Sequence, residues 1–340
     1  FIVNSSSNYY SVFVKNSYNL TTRNITLELA AINLYLSDVN HSFFNESVIN
    51  DASSEGIFIE DSFNNTFLNV NLSNNSNNLG VSVTNDIYYD HNFTSVIVES
   101  DVLSYLFNKS SETFTDIGGF YVILGTDVVI NGATFTGFNS KVINSSHVNI
   151  TNAFSSASTI PINITNSFNI SIFNFTTNNT QFVSDRYGIN LFDVNNTTIY
   201  DSYFGNISYG VFAKSSNNLS VINNRFVDGE LAIQLGSTIL NNNITNFSSK
   251  TVNSQSYVIG PRSNSLVSGN VVQSSCYNDT DGFVVYLSGN NHEIVNNLFN
   301  NTLVGDFCTG VRVSSGSNLI NISYNNFSHF EDGVLLGEGN

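Results

Sequence analysis

A spacing of about 20 to 27 residues recurs along this chain, and few folds accept such a period. With Gly210 as the origin, apolar residues follow at +1 and +3 (Val211, Ala213), asparagine at +8 (Asn218) and an aromatic ring at +16 (Phe226). Gly188 repeats the pattern with Ile189, Leu191, Asn196 and Phe204, and Phe283 repeats it with Val284, Tyr286, Asn291 and Phe299. Ser256 leads to Tyr257, Ile259, Asn264 and Val272, and Gly310 leads to Val311, Val313, Asn318 and, one residue late, Phe327. Towards the N-terminus, Ser11, Ile32 and Gly56 reach Asn19, Asn40 and Asn64, while Lys141 and Pro161 reach Asn149 and Asn169. About ten of thirteen +8 positions hold asparagine, where chance would place about two. The stretch from Gly80 to Gly119 is the least regular.

Short alternating apolar runs read as strands, and no segment sustains a helical period. A strand-and-turn cycle of about 22 residues, rich in Ile, Val, Phe and Tyr, describes one winding of a parallel β-helix. Asparagine suits the turns because it tolerates the left-handed backbone region and can bond its own backbone. The fold class expected is therefore all-β, a right-handed parallel β-helix solenoid of about 14 coils in a single domain over 1–340, a rod about 65–70 Å long at about 4.8 Å per coil. Residues 1–10 would supply an N-terminal strand or cap, and 333–340 would open a last, unfinished coil. From Ser11 to Asn340 the chain resembles the right-handed parallel β-helix superfamily of pectate-lyase-like and NosD-like repeat proteins. That resemblance speaks to fold, because the same scaffold serves enzymes, adhesins, phage spikes and surface coats.

Only 11% of residues are charged, with 10 Lys plus Arg against 26 Asp plus Glu. No basic cluster is present to hold phosphates, so nucleic acid is excluded as a partner. Uncharged Asn, Ser and Thr supply the polarity, a composition whose charge changes little in acid and which suits an acid-exposed surface. With no Met and a first residue of Phe1, the chain reads as a mature one after signal-peptide removal. No apolar run of about 18 residues is long enough to span a membrane.

The strongest compositional signal is the N-x-S/T triplet, the acceptor for N-linked glycan. About 26 occur, where random pairing would give about 13. Their asparagines are Asn4, Asn19, Asn24, Asn40, Asn45, Asn64, Asn71, Asn74, Asn92, Asn108, Asn144, Asn149 and Asn163, followed by Asn169, Asn174, Asn178, Asn195, Asn196, Asn206, Asn218, Asn243, Asn246, Asn278, Asn300, Asn321 and Asn326. Such density implies an exported chain under bulky, solubilising cover. Asn19, Asn40, Asn64, Asn149, Asn169, Asn196 and Asn218 are both +8 and acceptor residues, and an amide locked into an inward ladder does not readily carry a sugar. A split is expected, with Asn264, Asn291 and Asn318, which are not acceptors, forming the purer ladder.

The only cysteines, Cys276 and Cys308, lie in the surplus loops that lengthen two successive coils, so a disulfide between stacked loops is expected. For catalysis, hydrolases need paired carboxylates. With +1 and +3 inward, the +2 column reads Asn190, Phe212, Gln234, Val258, Val285, Arg312 and Leu335 and contains no carboxylate. No Asp-Asp pair, Gly-His-Gly or Arg-x-Lys occurs, so no catalytic residue is expected. An acidic column precedes the anchors, including Asp185, Asp228 and Asp279. Within it Glu230, Asp281, Asp306, Glu331 and Asp332 are candidates for Ca²⁺, against the plainer reading of acidic turn residues. His292-Glu293 lacks the second histidine of a zinc motif, and the five histidines read as surface or wall residues. Phenylalanine at +16 reads as core stacking rather than as a sugar platform.

The last anchor, Gly333, starts a coil with Val334 and Leu336, and Phe1-Ile2-Val3 is an apolar segment at the other end. An open sheet edge at one end could be completed by the terminus of another copy, or by a cap beyond Asn340. The function expected is a secreted, N-glycosylated structural surface protein: a filament subunit, surface-layer component or adhesin whose partners are copies of itself, other surface proteins and glycans. It needs no cofactor apart from covalent glycan and, at most, Ca²⁺. The alternative is a polysaccharide lyase or hydrolase on the same scaffold.

Overall fold

The computed structural model describes residues 2–4, 9–82, 84–178, 186–234, 237–248, 250–252, 255–275, 282–302 and 308–337. Its strands pair in parallel with those about one period away, so that Leu34 lies between Val12 and Ile57, and Val211 between Ile189 and Ile233. Two short hairpins are the antiparallel exceptions among the described residues: Ile97–Val98 with Asp101–Val102, and Lys250–Val252 with Gln255–Gly260. The result is an all-β parallel solenoid, consistent with the β-helix architecture expected.

In the first part each winding gives three short strands, as in Tyr10–Tyr18, Thr21–Arg23 and Thr26–Glu28, which stack into three separate parallel sheets. From Ser104 onward a ten-stranded sheet runs from Thr113–Thr115 to Ile320–Ser323, and a 19-stranded sheet forms the rest of the wall. That sheet stays continuous because long strands such as Tyr203–Lys214 pass round a bend, pairing with Thr176–Asn178 before it and Tyr187–Phe192 after it. One hydrophobic core extends from Leu27 to Val313. Where the two parts meet, the Tyr121 hydroxyl and the Lys141 ammonium both donate to the Leu79 carbonyl, each at 2.9 Å. Burial there pushes the Lys141 amine down to about 8, with Glu55 opposing the shift.

The abundance of asparagine follows from the corners. Forty-three described residues other than glycine have positive φ, and 21 of them are Asn and eight Asp. They fall in register: Asn152, Asn174, Asp201, Asn223 and Asn241 occupy one corner of successive windings. A single left-handed residue turns the chain sharply, and Asn and Asp adopt that conformation at less cost than other L-residues.

Inside, Phe204 and Phe226 are fully buried and stack at 4.8 Å between ring centroids. Gly210 is small because these rings need the space: a Cβ there would lie 2.4 Å from the Ala232 carbonyl oxygen and 2.5 Å from the Phe226 ring. The residue beneath Val211 and Ile233 differs from the expected one. The column continues through Ile259 and Val285 to Val311, so Val284 is one place out. The outward column correspondingly holds Gly260 and Tyr286, whereas Val258 and Val285 are fully buried. The slip has a physical cause. Tyr257, Val258 and Ile259 are all buried, as are Phe283, Val284 and Val285, so no alternation marks which residue faces inward.

Candidate functional site

The expected inward ladder is also displaced. The +8 row is a solvent-facing corner: Asn19, Asn64, Asn169, Asn196, Asn218, Asn264 and Asn291 all have positive φ and, apart from half-buried Asn169, are exposed. Asn291 does donate to the Asn264 amide oxygen, at 2.7 Å, but outside the core, and Leu319 rather than Asn318 has the left-handed conformation there. The inner ladder runs through Asn224, Asn242, Asn270, Asn297 and Asn325, two residues before the distal apolar position. Each backbone N–H donates to the next amide oxygen at 2.9–3.0 Å, and the amide nitrogens of Asn242 and Asn270 donate to Val221 and Ile239 carbonyls, both at 2.9 Å. The signal existed in the recurrent N-x-F spelling of Asn224-Arg225-Phe226 and Asn297-Leu298-Phe299, but the stronger +8 periodicity drew the assignment outward.

The two roles of asparagine thus separate cleanly. Twenty-four of the 26 acceptor asparagines have described side chains, and none is buried. Among the described residues nine asparagines are buried, Asn33, Asn65, Asn242, Asn270 and Asn297 among them, and none begins an N-x-S/T triplet. The Asn4 side chain and Asn278 lie outside the described residues. Acceptors stand on the outer side of several walls: Asn71 in the first part, Asn149, Asn195 and Asn321 on the ten-stranded sheet, and Asn178, Asn243 and Asn326 on the 19-stranded sheet. Several tie their amides along the rod, as Asn218 does to Asn196 at 2.9 Å and Asn246 to Asp228 at 3.0 Å.

That last bond identifies one member of the acidic column. Asp228 has φ 57° and sits at a corner between Asn206 and Asn246, as turn chemistry requires. Glu230 is half-buried and Glu331 and Asp332 are exposed, while Asp185, Asp279, Asp281 and Asp306 lie outside the described residues. Among the described residues no three His, Cys, Asp or Glu side chains come together to hold a metal. Cys308 is disulfide-bonded and 1% exposed; Cys276, its expected partner, lies outside the described residues.

Aromatic rings also form rows along the outer faces of the strands, apart from the +16 core positions. Phe13, Tyr35 and Phe58 form a row on the outer wall of the first part, tilted at 5.0 Å and edge-to-face at 5.2 Å between ring centroids, with the Tyr35 hydroxyl donating to Glu60 at 2.6 Å. On the second part Tyr187 stacks on Tyr209 at 4.6 Å, and the Arg312 guanidinium lies 5.0 Å from the Phe283 ring. Separately, a crevice of about 540 Å³ is lined by Asp101 and Asp116. Burial raises the Asp101 carboxyl, against a 2.6 Å bond from the Thr136 N–H.

His91 and His292 are buried in the wall. Burial pushes the His91 imidazole down to about 4. The unfolded chain would take up this proton near pH 6.5 and the folded chain only near 4, so stability rises with pH across that window. The contribution, about 3 kcal/mol, is complete above about pH 6.5 and lost as pH falls through 4. We expect His91→Gln to flatten the acid side of a plot of urea midpoint against pH between 4 and 7; an unchanged slope would show that His91 does not control it.

No protein-family model matches the chain, and no curated protein sequence does. Solved structures are similar in fold. The Streptococcus pneumoniae surface protein and adhesin PfbA is 14% identical over 88% of this chain and 91% of that one, with a TM-score of 0.41. The periplasmic alginate epimerase AlgG is 14% identical over 93% and 79%, with a TM-score of 0.35. The hyperthermoactive exopolygalacturonase of Thermotoga maritima is 10% identical over 90% and 84%, with a TM-score of 0.29. Adhesin and enzymes stand side by side at these low scores, so the likeness carries no activity to this chain.

Proposed function

We propose that this chain is a secreted, N-glycosylated structural protein of a cell surface, serving as a filament subunit, surface-layer component or adhesin. One observation carries the reading: every described acceptor asparagine is off the core, and every buried asparagine is outside an acceptor triplet. Glycans at these positions would clothe several walls without disturbing a core residue. No helix among the described residues is long and apolar enough to cross a membrane. Assembly by strand addition is part of the proposal, as is a Cys276–Cys308 bridge pinning two loops. Among the described residues Asp332–Leu336 pairs with Cys308–Val313 alone, with Val334 39% and Leu336 60% exposed. At the opposite end Phe13 and Tyr18 are 49% and 64% exposed on Tyr10–Tyr18. Such edges bind further strands through their free backbone groups.

The test is glycopeptide mapping of the native protein together with sizing by light scattering. Occupied sites on both the ten- and 19-stranded sheets, with concentration-dependent growth, are the expected result. A sugar-free native chain would overturn the coat, and a monodisperse monomer at all concentrations would overturn assembly. The Asp101–Asp116 crevice favours a second reading, an enzyme acting on polysaccharide through these two carboxyl groups. Depolymerisation of an acidic or neutral polysaccharide that Asp101→Asn abolishes would establish it.

A further inference from the structure

The acceptor triplets divide by a feature that their spelling does not show. Along a regular strand residues i and i+2 share a face, so an exposed asparagine brings an exposed hydroxyl with it. A left-handed residue between them breaks this parity. In Asn40-His41-Ser42, Asn45-Glu46-Ser47 and Asn195-Asn196-Thr197 the middle residue has φ of 53°, 50° and 53°. In all three the asparagine stays off the core while the hydroxyl residue is turned inside, each 2% exposed.

The inward serine has a task there. Ser42 and Ser47 donate back to the carbonyls of Asn40 and Asn45, at 3.2 and 2.9 Å. The same bond recurs where no asparagine precedes the corner. Ser62, Ser167, Ser202 and Ser216 donate to the carbonyls of Glu60, Thr165, Tyr200 and Lys214 at 2.7–3.1 Å, across left-handed Asp61, Asn166, Asp201 and Ser215. These four serines are also buried, at 0–3% exposure. A residue followed by a left-handed corner and an inward serine is thus a structural unit of the coil, satisfying a carbonyl at the corner. The Asn40 and Asn45 triplets match the acceptor spelling because an asparagine happens to begin that unit, and the Asn195 triplet shares its geometry with threonine.

We infer that corner parity sorts the acceptors. Asn40, Asn45 and Asn195 accept glycan only on an unwound chain, whereas Asn149, Asn169, Asn218, Asn243 and Asn321, whose +2 hydroxyl residues are half-exposed, accept it on the folded coil. The reaction joins the asparagine Nδ2 to C1 of a sugar, breaks that carbon's bond to the phosphate oxygen of a lipid-linked glycosyl diphosphate donor, and releases one amide proton. The transferase must reach both the amide and the +2 hydroxyl, and a hydroxyl inside the wall is out of reach. This inference rests on the proposed coat for its biological meaning but not for its test.

The unglycosylated folded chain, and the same chain after proteolytic digestion, are each given an oligosaccharyltransferase and a lipid-linked oligosaccharide, and sites are mapped by mass spectrometry. We expect the folded chain to be modified at Asn149, Asn169, Asn218, Asn243 and Asn321 and at least tenfold less at Asn40, Asn45 and Asn195, with the difference gone in the digest. Lys214→Asn, which places an exposed asparagine before Ser215 and buried Ser216, should likewise accept only after digestion. Modification of Asn40, Asn45 and Asn195 on the folded chain at the rate of Asn218 would overturn the inference, as would failure of all five outward sites there. A sugar-free native protein would instead count against the coat and leave this comparison standing.

Discussion

Replacing Asn270 with leucine is expected to lower the unfolding free energy by about 3–5 kcal/mol, a large share of the stability of a natural domain. Asn270 is fully buried, accepts from the Asn242 backbone at 2.9 Å and its amide at 3.0 Å, and donates to the Ile239 carbonyl at 2.9 Å and the Asn297 amide oxygen at 2.9 Å. Leucine has similar bulk but none of these bonds. The Asn242 N–H would remain inside without an acceptor and the Ile239 carbonyl without this donor, and each such group costs about 1–3 kcal/mol. Asn291→Ala is the control. It alters an exposed corner, where the loss is mainly the left-handed preference of about 1 kcal/mol. Urea unfolding of both variants measures the contrast; equal losses would mean that the inner row is no more than another set of turns.

A second large loss is expected from Phe226→Ala. The ring is fully buried, stacked on Phe204 at 4.8 Å and edge-on to Phe247 at 6.3 Å. A parallel stack cannot close the gap without moving neighbouring rungs, so the cost should reach the about 3–5 kcal/mol typical of such truncations. Phe212→Ala, on the outer wall and only half-buried, should cost clearly less. Midpoints of thermal unfolding compare the two, and a larger effect at Phe212 would contradict the inside and outside faces assigned to this strand.

Much of the architecture was legible because a solenoid repeats its physics. Val211 and Phe226 announced an inner wall through strict spacing, and their burial agrees with that reading. The inner column slips by one residue where both faces of a strand are buried: Phe283, Val284 and Val285 are all buried, and a continuous apolar run carries no phase. The asparagines were harder. One residue type serves left-handed corners, an inner ladder and exposed acceptor positions, and composition cannot separate tasks that share the same amide. The acidic column shows the same limit: Asp228 is a corner residue tied to Asn246, which its place before glycine suggested, whereas the crevice of Asp101 and Asp116 joins residues from different windings that no local spacing relates.

From the order of residues alone came the winding period, the all-β class and the wealth of acceptor triplets, because each is a local rule that every coil restates. Which asparagines face water, which serines turn inward and where the rungs align were decided only by the folded wall. A single left-handed corner reverses the side on which the next residue falls, and although Asn and Asp favour that conformation, many asparagines do not adopt it, so the folded wall shows which positions do.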